Sequence, residues 1–369
     1  MKYKLKGVEI LKKILSCLLI LFYMLSFTAC ASKEEEEKPK VNGFEIKTAT
    51  NVVESYMTFI MKEDYENAKK LYTKDLFLKA SKMPISDMKV KGYMIGESNE
   101  VGRSGVFKVR TTRTSLVNPL SSLDEYVIKV VKDGAEYKIS EANSTPQKEA
   151  FVEGLGIRFR DKKNIKTNLI IDKAGLPKYV YSREDAAQLF KILVPIKEFS
   201  SINFDYEGGK LAISTYNKNS FIGIVNIDES LAVQGGGSQE KPDQQSQGGG
   251  SEVIAKEKPI GKELITVDLL LNCKVDFMTF SLDEKFLLVQ YIKEDLGKCI
   301  KVYRADNGSS IPINFEKDYP IAKVQILFSS FGEDAMTFEV IPKSNLNSSE
   351  ADIIGTWKLS LKNFTLQKL

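Results

Sequence analysis

Residues 275–291 read VDFMTFSLDEKFLLVQY. An apolar run, Val275–Phe280, enters a turn carrying Asp283 and Glu284, and a second apolar run, Phe286–Tyr291, leaves it. Short β-branched and aromatic runs on either side of turn residues read as paired strands. The pattern recurs on both sides. Residues 199–215 read FSSINFDYEGGKLAIST and residues 325–340 read QILFSSFGEDAMTFEV. A third apolar run follows each copy, at Ser220–Ile227, Lys298–Arg304 and Ile353–Leu361. After the second copy, Asp306-Asn307-Gly308 makes a turn, and Ile311–Phe315 is expected as a fourth strand. Phe280 and Phe328 lie 48 residues apart, and the first interval is close to this once the low-complexity stretch Gln234–Lys258 is set aside. A period near 50 residues with several strands per unit is the signature of propeller blades.

The turn Phe280-Ser281-Leu282-Asp283-Glu284-Lys285 resembles the TolB-type repeat, whose consensus is Phe-Ser-Pro-Asp-Gly, with Leu282 and Glu284 replacing the proline and glycine. The resemblance implies an all-β domain of about three propeller-like blades over residues 196–369. Closed propellers have about four to eight blades. The readings left open are a truncated propeller, a curved stack of sheets, a ring completed by a partner, or a β-sandwich. The Gly/Ser/Gln-rich loop 234–258 reads as a solvated insertion between blades. It is not a phosphate loop, because no Gly-Lys-Ser/Thr follows it. Trp357 is expected to pack between sheets. The turn acids Glu207, Asp283, Glu284, Glu333 and Asp334 lack the Asp-x-Asp-x-Asp spacing of a calcium loop, and turn preference accounts for them.

Upstream, residues 146–195 read as a connector that contains strands. Pro146 marks its expected boundary. Gly154–Phe159 and Lys166–Asp172 read as strands, and Leu176–Tyr181 as extended chain. Ser182–Leu193 reads either as a short helix or as an extended crossing. Arg158, Arg160, Asp161, Lys162 and Lys163, alternating with Ile157 and Phe159, read as the wet face of a strand.

Residues 44–145 change period partway. Val52, Val53, Tyr56, Phe59 and Ile60 recur at helical spacing after Thr48 and Thr50, either of which can cap a helix that ends near Met61. Asp64, with Asn67 three residues on, reads as the N-cap of a second helix. A third covers Leu76–Lys82 and stops at Pro84. Lys89–Glu97, Gly105–Ser115, Glu125–Lys132 and Tyr137–Glu141 then read as strands, with Asp133-Gly134 in a hairpin turn. Helices followed by a long antiparallel hairpin, and the segment DYENAKKLY (residues 64–72), resemble the cone-shaped nuclear transport factor two-like, or SnoaL-like, fold. The resemblance implies an α+β domain of helices on a curved antiparallel sheet, with pocket candidates Tyr56, Tyr93 and Asp124. For each the structural alternative is plain. Tyr56 lies on an apolar helix face, Tyr93 in a strand and Asp124 at a strand entrance.

The N-terminus reads as an address. Lys2, Lys4, Lys6, Lys12 and Lys13 precede an apolar run from Ile14 to Phe27. That is the order of a signal peptide, and the run is shorter than the roughly 20 residues a spanning helix needs. Phe27-Thr28-Ala29-Cys30 resembles the bacterial lipoprotein box, with Phe27 in place of the usual leucine. The resemblance implies cleavage after residue 29 and a diacylglyceryl group on Cys30, enough for stable anchoring on the extracytoplasmic face of the cell membrane. Residues 30–43, with Glu34–Glu37 and Lys38-Pro39-Lys40, read as a solvated tether.

The chain of 369 residues carries a net charge of +4. Removing residues 1–29, with five lysines and Glu9, leaves about zero. No basic stripe points to nucleic acid. There is no histidine. This excludes Ser-His-Asp and Cys-His nucleophile systems and His-ligated zinc. No catalytic constellation, cofactor site or metal site is recognisable. Cys273 and Cys299 fall on the first and third strands of one meander, about 9.6 Å apart, beyond disulfide reach. They read as buried free thiols. The functional expectation is a non-catalytic lipoprotein that uses residues 196–369 to bind a protein or cell-envelope component. The alternative is a small-molecule carrier, sensor or enzyme using the pocket of residues 44–145.

Overall fold

The computed structural model describes residues 43–80, 87–185, 187–234, 257–343 and 352–369. Phe44–Leu369 forms one compact unit, and residues 1–43 form the other unit of the chain. The expected signal peptide, Cys30, most of the expected tether, Pro84 and most of the loop 234–258 lie outside the described residues.

The unit opens with helix α1 (Ile46–Met61). Its N-cap is Glu45, one turn earlier than the capping threonines suggested. Thr48 instead donates to the Glu45 carboxylate at 2.7 Å, and Thr50 bonds back to the Ile46 carbonyl. Helix α2 (Tyr65–Lys70) is capped by Asp64, which accepts from the Asn67 N–H at 3.2 Å, as the spacing predicts. Helix α3 (Lys74–Lys79) starts on Thr73 and begins earlier than the expected Leu76.

Six strands then form one antiparallel meander: β1 (Met88–Val101), β2 (Ser104–Ser115), β3 (Leu120–Asp133), β4 (Glu136–Glu153), β5 (Gly156–Asp161) and β6 (Asn168–Asp172). The boundary expected at residues 145/146 falls inside β4. Pro146 sits beside a bulge opposite Asp124, beyond the last β4–β5 pair at Lys148. A bulge is one of the places where a strand tolerates proline. The strands expected in the connector are therefore the outer strands of this sheet. Asp124, expected at a strand entrance, lies inside β3.

The two faces of this sheet do different work, as the period-2 alternation of strand side chains allows. Phe107 and Val109 of β2, Ile128 and Val130 of β3 and Ile139 of β4 share a core with Val53, Tyr56, Met57 and Ile60 of α1. Fully burying each such side chain is worth about 1.5–3 kcal/mol. On the other face, Thr114 donates to the Ile202 carbonyl at 2.9 Å and Ser121 to the Asn203 side chain at 3.0 Å.

Segment 173–197 crosses to the next sheets. The described residues of 182–193 form no helix. Tyr179–Val180 (β7) instead pairs with Ile192–Leu193 (β8). Three antiparallel meanders follow. The first holds β9 (Glu198–Phe204), β10 (Lys210–Asn217), β11 (Asn219–Ile227) and β12 (Gly261–Leu270). The second holds β13 (Cys273–Phe280), β14 (Phe286–Lys293) and β15 (Gly297–Arg304). The third holds β16 (Val324–Phe331), β17 (Ala335–Pro342), β18 (Gly355–Ser360) and β19 (Leu366–Lys368). These are the three repeat units, each a consecutive up-and-down sheet. One expectation fails. Ile311–Phe315 adds no strand to the second sheet: beyond a single bridge, Tyr303 to Ser310, the chain turns into helix α4 (Phe315–Asp318). Phe315 is drawn into the core against Phe338 at 5.3 Å between ring centroids, and this burial competes successfully with edge pairing.

The inner strands β9 and β13 lie side by side. β9 packs on β2, β3 and β4, and β13 on β1. Asn203, fully buried, ties this junction together by donating to the Met278 carbonyl at 2.7 Å and accepting from Ser121. Gly92 is required here, because a Cβ at that position would collide with the Tyr206 hydroxyl. Two inner strands thus face a sheet of the same chain, where a partner-completed ring was one of the open readings. Trp357, expected between sheets, packs edge-on against Tyr319 at the end of α4, and its indole donates to the Ile353 carbonyl at 2.8 Å.

Candidate binding cleft

None of the three pocket candidates from the sequence lines the cleft described below. Tyr56 is buried and its hydroxyl bonds that of Tyr72 at 3.0 Å. Burial, reinforced by Tyr72, pushes its phenol far above the ordinary range, so it stays neutral. Tyr93 is half-buried and packs against the core beneath α1, and burial pushes its phenol up. Asp124 is fully buried and pairs with the Arg113 guanidinium at 3.1 Å and the Ser144 hydroxyl at 3.2 Å. Tyr126, which sequence reading passed over, faces Ser144 across the β3–β4 ladder and interacts electrostatically with both Asp124 and Tyr56. The signal that could have found it is register, since Asp124 and Tyr126 lie two apart in β3 on the face that meets the helices. Among the described residues, Asp124 Oδ1 and Thr111 Oγ1 are buried without a partner.

A cleft lies elsewhere, at the edge where the second sheet lacks its fourth strand. It encloses about 670 Å³. Lys301 and Tyr303 of β15, Lys293 of β14, Asp268 of β12, Arg183 and Glu184 from the β7–β8 connection, and residues 310–317 line it. Asp268 is its fixed point. The carboxylate, fully buried, accepts from the Tyr303 hydroxyl at 2.7 Å, the Arg183 N–H at 2.8 Å and the Leu269 N–H at 2.7 Å. Arg183 Nε reaches the Val267 carbonyl at 3.0 Å. Lys301 bridges Glu184 at 3.2 Å and approaches Asp268 at 3.9 Å. On the opposite wall, Glu316 of α4 takes Lys293 at 2.6 Å and the Tyr291 hydroxyl. Burial drives its carboxyl upward, but the bonds from Lys293 and Tyr291 outweigh it and hold the group below the ordinary 4.5.

The thiols lie beneath this wall and are free and buried, as expected. Tyr291 pairs with Cys299 across β14–β15, and Lys293 with Cys273 across β13–β14. Burial pushes Cys299 up to about 11 and Cys273 to about 12. Both are protonated near neutrality and poor nucleophiles. Among the described residues, no group of three or more His, Cys, Asp or Glu could hold a metal ion. The cleft is a pre-ordered, mixed-charge surface beside an open strand edge. Its one sequence signal is Asp268, a lone acid inside the apolar run Ile265–Leu271.

No family model matches the chain. No curated protein matches it either. Among solved structures, it is similar to a puromycin-hydrolyzing peptidase of Mycobacterium tuberculosis, at 9% identity over 75% of this chain and 52% of that one, with a TM-score of 0.27. Hsv2 of Kluyveromyces lactis matches at 10% identity over 78% and 87% of the two chains, with a TM-score of 0.27. TolB of Acinetobacter baumannii matches at 10% identity over 80% and 84%, with a TM-score of 0.17. The chain spans about half the length of the puromycin-hydrolyzing peptidase. At these scores the overlaps carry no argument about activity or partners.

Proposed function

We propose that the chain is a non-catalytic, lipid-anchored extracytoplasmic binding protein, held to the membrane through Cys30 and engaging a protein or envelope component through residues 196–369. In this reading the first region is a nuclear transport factor two-like module and the second a set of three TolB-type blades. The observation that carries it is the cleft beside β15. Among the described residues, no strand pairs with β15 along Gly297–Lys301. Such an edge accepts an extended chain through backbone bonds, and the fixed cations Arg183, Lys293 and Lys301 beside it supply side-chain selectivity. A drug-sized ligand prefers a mainly apolar pocket, which this is not.

The test is cross-linking in intact cells with the native chain and with Arg183→Glu/Lys301→Glu. A partner captured by the first and lost with the second supports the reading. A partner captured equally by both removes the cleft from it. Fractionation of Cys30→Ser checks the anchor separately, and a variant that stays in the membrane defeats that part. A second reading, a small-molecule carrier using the first region, rests on the unpartnered Asp124 Oδ1 and Thr111 Oγ1. It predicts a polar small molecule co-purifying with the chain and lost in Asp124→Asn.

A further inference from the structure

The β7–β8 segment, next to the cleft, concentrates exposed apolar surface. Five of the fifteen large apolar side chains that stand exposed among the described residues fall within residues 179–196: Tyr179, Leu189, Phe190, Leu193 and Ile196, each 47% to 72% exposed. The ladder decides which way they face. Tyr179 pairs with Leu193 and Val180 with Ile192. Val180 and Ile192 belong to the core beneath. The opposite face therefore carries Tyr179 and Leu193, and the next pair outward places Tyr181 beside Lys191, whose ammonium lies 5.8 Å from the Tyr181 ring. Lys178 lies over Tyr179 at 5.4 Å, and Lys197 is exposed just past Ile196. Leu189 and Phe190 form the approach to β8.

The two acids between β7 and β8 have partners, Glu184 while itself exposed, and Glu198 stands exposed just past Lys197. Glu184 pairs with Lys301 at 3.2 Å, and Asp185 accepts the Phe190 N–H at 2.8 Å. The exposed residues include leucine, isoleucine and phenylalanine among tyrosines and lysines, with Arg183, Glu184 and Gln188 at the connection. Exposed contiguous apolar surface marks an interaction site. Tyrosine, with an apolar body and a polar tip, suits a water–lipid boundary. Lysines around such a face are attracted to anionic headgroups. The base is rigid, because the Arg183 N–H is pinned to buried Asp268 and the Val194 N–H to the Lys178 carbonyl at 3.1 Å.

We infer that the 179–196 hairpin is an interfacial membrane contact that inserts Leu189, Phe190, Leu193 and Ile196 into an anionic lipid surface, with Lys178, Lys191 and Lys197 at the headgroups. The contact rests on the reading of the chain as a membrane-surface protein but is independent of the Cys30 lipid. It would set the orientation of the β15 cleft with respect to the membrane.

The test uses residues 44–369, which contain all three hydrophobic cores and lack Cys30 and the apolar leader. The protein is sedimented with vesicles of phosphatidylcholine alone or mixed with equal phosphatidylglycerol. The expected result is binding to the anionic vesicles only. Leu189→Ser/Phe190→Ser should weaken it by at least about tenfold, and each of Lys178→Gln, Lys191→Gln and Lys197→Gln by about fivefold. Hydrogen exchange on the unmodified protein gives a readout free of folding effects, and backbone amides of residues 187–196 should slow when anionic vesicles are added. No vesicle binding, or binding unchanged in the Leu189/Phe190 variant, overturns the inference. So does a protein dimer that this variant returns to monomer while vesicles leave it intact, because the face would then be a protein interface. The Cys30→Ser fractionation can fail or succeed whatever these vesicles show.

Discussion

Asp205 and Ser281 occupy the same position in successive sheets. Each follows the last residue of an inner strand, and each backbone N–H closes the turn, onto the Lys210 carbonyl at 3.1 Å and the Phe286 carbonyl at 2.9 Å. In the second sheet the site is satisfied. The Ser281 hydroxyl donates to Asp283 at 2.7 Å and accepts the Phe286 N–H at 3.0 Å. In the first sheet a carboxylate fills the place of the hydroxyl. Asp205 is buried, its Oδ1 has no partner among the described residues, and burial together with the negative Glu284 pushes it up to about 6. The sheets diverge again at their outer edges. The first gains β12, and the second ends at β15 and leaves the cleft. Repetition of a sequence pattern thus secures the inner two strands of each unit, while outer edges and turn interiors are settled one by one by what packs against them.

Asp268 is where the closed edge of the first sheet meets the open edge of the second, and its loss should have the largest effect. Asp268→Ala strands the Tyr303 hydroxyl and the Arg183 N–H in a buried site, at a cost of about 3 kcal/mol. Denaturant melting should show this, together with a newly exchangeable β7–β8 segment. An unchanged midpoint would mean that the two edges are not coupled through this residue.

Asp205→Ser places the second sheet's solution in the first. A carboxyl raised in the fold is costly once ionised, so native stability should fall as pH rises from about 4 to about 6. The substitution should stabilise the protein by about 2 kcal/mol at pH values above about 6, and the gain should vanish towards pH 4. A gain that persists in acid would point to relieved packing instead of charge.

Glu316 carries the opposite sign. Its carboxyl is lowered in the fold. Its contribution is therefore complete above the ordinary carboxylate value and is lost as pH falls through the still lower folded value. Glu316→Gln should cost about 1 kcal/mol at neutral pH and nothing in strong acid. In the unmodified protein, exchange protection of residues 311–318 should weaken below about pH 4. Protection that is flat with pH would show that Phe315 alone, through its contact with Phe338, holds α4 across the open edge.

Much of the fold is legible in residues. Val275–Tyr291 and its two echoes announce the three sheets, and Lys298–Arg304 is the third strand of the second. Cys273 and Cys299, placed two strands apart by reading alone, are free and buried. Asp64 caps its helix. The candidate site was much less legible. Tyr56, Tyr93 and Asp124 are individually buried or half-buried, but none lines the cleft. The cleft draws Arg183, Asp268, Lys293, Lys301 and Glu316 from segments up to 133 residues apart. No local pattern marks residues that converge only through packing.

The sequence by itself determined periodicity, turn positions, helix caps and the exclusion of histidine chemistry, because these depend on neighbours along the chain. Tertiary structure alone decided the rest. It carried β4 through Pro146, because a bulge beside the pairing with Asp124 accommodates the proline. It kept 311–315 off the edge of β15 and buried Phe315 against Phe338 instead. It turned the face of Tyr179, Leu189 and Leu193 outward, because Val180 and Ile192 took the core side of the only ladder available to that segment.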